Sequence, residues 1–252
     1  MFRLDGRKAL VTGASGGLGR QFALVLARAG ASVVVGARRG DKLADLVAEI
    51  IALGTDAHAV SLDVTDSASV TRCFSEIEAS MGCPDVLVNN AGVTITKPLL
   101  QQTEEDWDKV IDTNLKGGWL VAQEAARRMV AAGKGGSLIN VASILGERVA
   151  GGVAPYAISK AGLVQATKTL ALELARYDIR VNALLPGYII TDLNRDFLSS
   201  DAGEKLRARI PTRRFGTPDD LAGPLLLLAS EAGRHMTGAT VEVDGGHLVS
   251  SL

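Results

Sequence analysis

The segment "APYAISKAGLVQATKTLALELARY", which begins at Ala154, opens with a phenol and an amine four residues apart, Tyr156 and Lys160. On a helix, residues at i and i+4 share a face, so both groups can act at one point in space; a surface aromatic and a solvated charge would show the same spacing. A tyrosine hydroxyl, with a pKa of about 10 when free, exchanges protons near neutral pH only where something stabilises its phenolate. A neighbouring ammonium would do that. Upstream, "INVAS" ends a strand pattern in Ser143, whose hydroxyl can polarise a carbonyl oxygen or merely cap a strand end. "DTNLKG" places Asn114 inside a long helical pattern, where Asn is a poor helix former and needs another reason to be present. Helical pitch alone does not separate a proton donor and its tuning cation from two polar residues at a helix start.

A second constellation lies near the start. "TGASGGLG" follows the strand pattern "KALVTG" directly and holds Gly13, Ser15, Gly16, Gly17, Leu18 and Gly19. A tight glycine turn opening a helix offers free N–H groups and the positive end of a helix dipole to a pyrophosphate. Tight turns and close helix–strand packing also select glycine, but the place after a first strand favours the phosphate reading.

The elements that must position these groups are short β-branched runs alternating with longer helical patterns. "KALVTG", "ASVVVGA", "DAHAVSLDV", "PDVLVNNAG", "GSLINVAS", "IRVNALLPG" and "ATVEVDGG" read as strands, most of them apolar on both faces. That alternation predicts an α/β fold with one doubly wound, seven-stranded parallel sheet flanked by helices on both faces. After "LLPG" a polar excursion, about residues 188–215, reads as short helices and as a substrate loop within a single domain spanning 1–252. "TPDDLAGPLLLLASE" reads as a capped helix despite Pro224.

The 252 residues suffice for one large core without disulfide or metal, and no metal-ligand cluster is visible. The 27 basic and 28 acidic residues leave no global field for nucleic acid or an anionic membrane. Cys73 and Cys83 read as free thiols of a reducing compartment. The N-terminus carries no apolar signal-like run and no later run is long and apolar enough to span a bilayer, so a cytoplasmic location is expected.

The spacing Thr-Gly-x-x-x-Gly-x-Gly, with "LDV" at Leu62–Val64, "NNAG" at Asn89–Gly92 and "PGYIITD" at Pro186–Asp192, resembles the short-chain dehydrogenase/reductase family over essentially the whole chain. The resemblance implies a Rossmann-type domain that moves a hydride between a nicotinamide cofactor and a ketone or secondary alcohol. It makes Ser143, Tyr156 and Lys160 the catalytic triad and Asn114 its fourth member. Tyr156 would be the general acid or base. Lys160 would lower its pKa and bind the nicotinamide ribose, and Asn114 would hold a water in a proton relay to Lys160. It implies cofactor contacts from the glycine turn, from Asp63 to adenine with Val64 beside it, from Asn90, Ala91 and Gly92 near the adenosine ribose, and from Pro186, Gly187, Ile189 and Thr191 around the nicotinamide. Asp63 and Thr191 would serve equally as turn or helix caps.

After a second strand, NAD-dependent Rossmann enzymes place a carboxylate on the adenosine ribose. Here that position is Ala37, followed by Arg38 and Arg39. Arg38 is the expected contact to a 2′-phosphate, so NADP(H) is preferred; Ser15-Gly16 in the glycine turn, without a basic residue, and nearby Asp41 leave NAD(H) open. The pocket is expected from Thr94 to Lys97, Ile144 to Val153, Tyr188 and Leu193 to Pro211, and to suit a modest, largely apolar substrate. Many family members reduce 3-oxoacyl groups on an acyl carrier protein. Lys134 and Arg127–Arg128 are candidate docking groups for one, although Leu172 stands where such reductases tend to carry Arg. A non-catalytic NADP-binding sensor or scaffold is the alternative of another class. The resemblance also implies a homotetramer paired through the Asn114 and Tyr156 helices and through the C-terminal region, with the tail "GGHLVSSL" reaching a neighbouring subunit.

Overall fold

The computed structural model describes residues 1–192 and 194–250. Among them, seven strands form one parallel sheet: β1 Lys8–Thr12, β2 Ser32–Ala37, β3 Ala57–Ser61, β4 Val86–Asn89, β5 Gly136–Val141, β6 Ile179–Pro186 and β7 Thr240–Val243. Their order is β3-β2-β1-β4-β5-β6-β7, so the chain reverses its direction of travel across the sheet between β1 and β4. Helices and loops leaving neighbouring strands diverge there, which opens a crevice at the carboxyl ends of the strands.

Successive strand residues feed opposite layers. Val33, Val35, Val86, Val88, Ile139 and Val141 enter one core with the helices α1 Gly17–Arg28, α2 Gly40–Ala52 and α9 Ala222–Ala229. Val34, Leu87, Leu138 and Val181 enter the other, beneath α3 Ser67–Ser80, α5 Gly117–Ala131 and α6 Ala154–Leu174. Strands buried on both faces have few positions for polar residues, which is why they read as continuous apolar runs. The exceptions are informative. Asn89 at the end of β4 donates from Nδ2 to the Gly118 carbonyl (2.7 Å) and to Asn140 Oδ1 (3.1 Å), and Asn140 Nδ2 donates to Thr167 Oγ1 (2.9 Å). This buried network fixes α5 and α6 against β4 and β5, and those two helices flank the residues that carry chemistry.

The long helix beginning after Thr103 is not continuous. Thr103 caps α4, Glu104–Ile111, in a reciprocal box with Asp106, and the turn Asp112–Lys116 then widens into π geometry before α5 begins. The polar excursion contains α7 Arg195–Leu198 and α8 Asp201–Arg207, as its pattern predicts; Leu193 lies outside the described residues. In α9, Pro224 occupies the first helical turn, where its missing N–H breaks no intrahelical bond. No described helix is long and apolar enough to cross a membrane. Cys73 and Cys83 are free and buried, and burial pushes the Cys73 thiol up to about 12.

Candidate active site

The glycine turn sits at the switch point between β1 and β4. Gly13 and Gly17 have φ of 66° and 53°, left-handed values that L side chains resist. A Cβ on Gly13 would lie 2.9 Å from Ala91 Cα, and one on Gly19 only 2.4 Å from the Gly13 carbonyl oxygen. The turn is thus packed too closely against itself and against "NNAG" for any side chain at those positions. Gly16 is the residue before α1 and no side chain caps the helix, so its first N–H groups are left for a ligand. That combination fits the pyrophosphate of a dinucleotide.

Thr12 joins the two halves of the crevice. Its Oγ1 accepts from the Asn90 and Ala91 N–H groups, each at 3.0 Å, while Asn90 Nδ2 donates to the Thr12 carbonyl at 3.0 Å. The Asn90 side chain therefore fixes the turn, leaving its backbone to border the crevice. Asp63 Oδ1 accepts from Thr65 N–H (3.0 Å) and Thr65 Oγ1 (2.7 Å), bonds that hold its carboxyl below the usual range, with the Arg38 charge adding to the effect. Val64 is buried against the start of α5, where a Cβ on Gly117 would lie 2.8 Å from its Cγ2. Both arginines are exposed, but only Arg39 reaches the glycine turn, donating from Nη2 to Ser15 Oγ at 2.8 Å. Arg39 thus stands beside the glycine turn and Arg38 near Asp63.

The four catalytic candidates converge beyond β4, β5 and β6. Asn114 lies in the π turn, only 1% exposed; Oδ1 accepts from Val93 N–H (2.8 Å), and Nδ2 donates to the Val93 carbonyl (2.9 Å) and to Ser159 Oγ (3.1 Å). Its carboxamide is thus a clamp on the chain leaving β4. Ser159, which the sequence reading passes over, is the other half of this clamp, since its hydroxyl donates to the Tyr156 carbonyl at 2.7 Å. Ser143 is buried and its Oγ accepts from Leu145 N–H at 3.1 Å, opening a short 3-10 turn, Ile144–Gly146. That turn packs directly on α6, because a Cβ on Gly146 would lie 2.9 Å from the Lys160 carbonyl oxygen.

Lys160 Nζ donates to the Val141 carbonyl at 2.7 Å and lies 5.6 Å from the centre of the Tyr156 ring. One of its three donors is thereby used, and the others have no partner among the described residues. Gly92 leaves room beside it: a Cβ there would lie 3.6 Å from Nζ and 3.3 Å from Asn114 Oδ1. Burial lowers the Lys160 ammonium from 10.5 to about 8. Burial also pushes the Tyr156 phenol up, the adjacent Ser143 hydroxyl opposing this and Tyr188 adding to it. Desolvation is the largest influence on the phenol, and the Ser143 hydrogen bond is what opposes it.

Ile189, Thr191 and Gly187 follow β6. Asn194 clips this segment, with Nδ2 donating to the Ile189 carbonyl (2.9 Å) and Oδ1 accepting from Thr191 N–H (2.8 Å). A Cβ on Gly187 would lie 2.7 Å from Asp244 Cα, so Pro186 and Gly187 bring the end of β6 against the loop after β7. Through Ser250 that loop packs on Pro211, Thr212, Arg148 and Tyr188 of its own chain, and Ser251 and Leu252 lie outside the described residues. His247, on this loop, is buried against Tyr188, and no local sequence pattern marks it. Glu147 is exposed, as the sequence allows, whereas Arg148 is partly buried against the loop, so this wall is less apolar than expected. Arg128, a proposed carrier-docking group, is instead paired with Glu78 (2.5 Å) and Glu124 (2.8 Å), and Arg127 lies 3.6 Å from Glu124.

A parallel sheet with a glycine crevice at its switch point, beside a converged Ser, Tyr and Lys, defines a dinucleotide-dependent oxidoreductase of Rossmann type. Comparison with known proteins agrees. A family model described as enoyl-(acyl carrier protein) reductase matches residues 13–247. A 3-oxoacyl-[acyl-carrier-protein] reductase of Staphylococcus aureus (strain Mu50) is 42% identical over 241 residues, covering 95% of this chain and 97% of the relative. An L-rhamnose 1-dehydrogenase (NAD(P)(+)) of Azotobacter vinelandii is 41% identical over 251 residues, 97% of each chain. Among solved structures, a gluconate 5-dehydrogenase from Burkholderia cenocepacia in complex with NADP and tartrate superposes with a TM-score of 0.95 at 39% identity, covering 99% of this chain and 98% of that one. A short-chain type dehydrogenase/reductase from Mycobacterium marinum superposes with a TM-score of 0.93 at 40% identity, over 98% and 97%. The chain belongs to the short-chain dehydrogenase/reductase family and is an oxidoreductase acting on CH–OH and C=O groups.

Proposed function

We propose that the protein is an NADP(H)-dependent oxidoreductase that interconverts a free, small ketone and its secondary alcohol, with Tyr156 as general acid and base. The observation that carries this reading is the meeting of Tyr156, Lys160 and Ser143 beside the uncapped start of α1. When bound, the nicotinamide supplies or accepts the hydride. Ser143 holds and polarises the substrate oxygen. Tyr156 delivers a proton to that oxygen in reduction and takes it back in oxidation; its raised pKa keeps the phenol protonated for the first role. Lys160, anchored to Val141, offers its two remaining donors to the phenol and the nicotinamide ribose. Asn114 acts at one remove, holding Val93 and, through Ser159, the first turn of α6 in place.

For the cofactor, Arg39 and Ser15 would grip the 2′-phosphate while Arg38 flanks the adenine beside Asp63. A 2′-phosphate suits this pair of guanidinium groups and the absence of a carboxylate at Ala37, and the gluconate 5-dehydrogenase relative carries NADP. The internal pairing of Arg127 and Arg128 favours a free substrate over a carrier-bound one. The acyl-carrier reading keeps the support of the Staphylococcus aureus relative and of Lys134, which joins no ion pair among the described residues. A homotetramer and a cytoplasmic location complete the proposal.

The test is a panel of ketones, sugar acids and 3-oxoacyl thioesters, followed through nicotinamide absorbance with NADPH and NADH in parallel. Higher kcat/KM with NADH throughout would overturn the cofactor assignment. Turnover confined to carrier-bound substrates, and falling steeply with salt, would replace the small-substrate reading by the carrier one.

A further inference from the structure

His247 is 5% exposed, its ring centre lies 5.6 Å from that of Tyr188, and its Nδ1 is sealed without a hydrogen-bond partner among the described residues. With Nδ1 sealed, Nε2 is the ring nitrogen left to donate to a ligand. The ring belongs to a group of residues drawn from the segments after three strands. Arg148 comes from the loop after β5, Tyr188 from the chain after β6, Arg209 from the end of the excursion, and His247 from the loop after β7.

Their charges do not balance. Arg148 Nη1 donates to the His247 carbonyl and to Ser250 Oγ (3.0 Å), but the guanidinium joins no ion pair among the described residues. The nearby carboxylate is Asp244, already committed to the Gly246 N–H (2.8 Å) and the Leu248 N–H (2.6 Å). Arg209, also without an ion pair among the described residues, adds positive charge around His247. The Arg148 backbone N–H donates to the Ile144 carbonyl (2.8 Å) in the turn that packs on α6 at Lys160, one helical turn from Tyr156, and the Tyr188 ring packs on His247, so this positive group adjoins the reactive phenol.

We infer that Arg148 and His247 form a carboxylate-binding subsite next to Tyr156, which makes the substrate a hydroxy acid or oxo acid. The assignment rests on the carbonyl–alcohol reading above and narrows it. Arg148, pinned by one nitrogen, presents its remaining N–H groups to the anion, and the imidazole contributes one N–H. Burial, with Arg148 and Arg209 nearby, keeps the imidazole neutral, so it acts as a hydrogen-bond donor and not as a second cation. Tyr188 walls the subsite from Phe215, whose ring centre is 6.5 Å away.

The test is calorimetric titration of NADP-saturated protein with tartrate and with threitol, its uncharged counterpart of equal chain length. Tartrate is expected to bind at least about tenfold more tightly than threitol. Arg148→Met and His247→Phe should each weaken tartrate about tenfold and leave threitol unchanged, with Arg148→Lys intermediate. His247→Phe keeps the backbone carbonyl that anchors Arg148 and the ring that packs on Tyr188, so it separates anion binding from simple loosening of the loop. Tyr156→Phe should keep the wild-type preference for tartrate over threitol, because the phenol meets a hydroxyl that both ligands carry, even though turnover is lost, so failure of the catalytic reading and failure of the subsite are scored independently. Absence of tartrate binding, equal affinity for tartrate and threitol, or equal loss of both ligands in His247→Phe would overturn the inference.

Discussion

Replacing Lys160 by Met removes the one buried cation of the site while keeping its length, and it should expose a stability cost that catalysis imposes on this fold. Lys160 is 4% exposed, makes one hydrogen bond, to Val141, and has its pKa lowered from 10.5 to about 8. A shift of that size, at about 1.4 kcal/mol per unit, means that the charged form is disfavoured in the native state by about 3 kcal/mol at neutral pH. The folded pKa is depressed, so the unfolded chain binds the extra proton between pH 8 and 10.5, and stability rises with pH across that window. The wild type should therefore gain on Lys160→Met by about 2 kcal/mol between about pH 7 and about pH 9.5, seen as a relative rise in Tm of about 4–8 °C. The orphaned Val141 carbonyl costs the variant about 1–3 kcal/mol, and because methionine does not titrate, that offset does not follow pH. Thermal unfolding of both proteins in matched buffers measures the gap. A gap that stays flat with pH, or that moves against the wild type, would refute the assignment of a desolvated ammonium.

Three further substitutions probe the surrounding scaffold. Gly19→Ala drives a methyl to 2.4 Å from the Gly13 carbonyl, and the forced shift of the glycine turn should weaken NADPH binding about tenfold or more, read by fluorescence titration. Asn114→Ala leaves both Val93 backbone groups and Ser159 without their partner, which should lower stability by about 2–4 kcal/mol in denaturant titration and reduce kcat as the first turn of α6 loosens. Arg39→Ala should cut kcat/KM for NADPH about tenfold while leaving that for NADH near the wild-type value, whereas Arg38→Ala should affect both cofactors alike.

Local sequence signals carried most of the fold. The strands were legible because each is buried on two faces, whereas the switch point between β1 and β4 appears only in the strand order of the folded sheet. Tyr156 and Lys160 were legible as a pair because one helical turn fixes their separation. What escaped depends on contacts distant in sequence. The π turn at Asn114 has no composition signature; it forms where Val93, Ser159 and the close approach of Leu115 to Gly162 meet. The choice between Arg38 and Arg39 turns on the reach of one side chain to Ser15, which adjacent positions cannot distinguish. His247 is buried only because Gly187 lets the end of β6 meet Asp244 and the last loop folds back across it.

The most direct measurement is steady-state reduction of a ketone substrate by Tyr156→Phe, with NADPH affinity determined in parallel. Loss of the phenolic hydroxyl alone should lower kcat/KM by about 10²–10⁴-fold, the usual worth of a positioned general acid, while the Kd for NADPH stays within about twofold. A variant that binds NADPH normally and still reduces the ketone at a rate close to wild type would contradict the central claim that Tyr156 moves the proton.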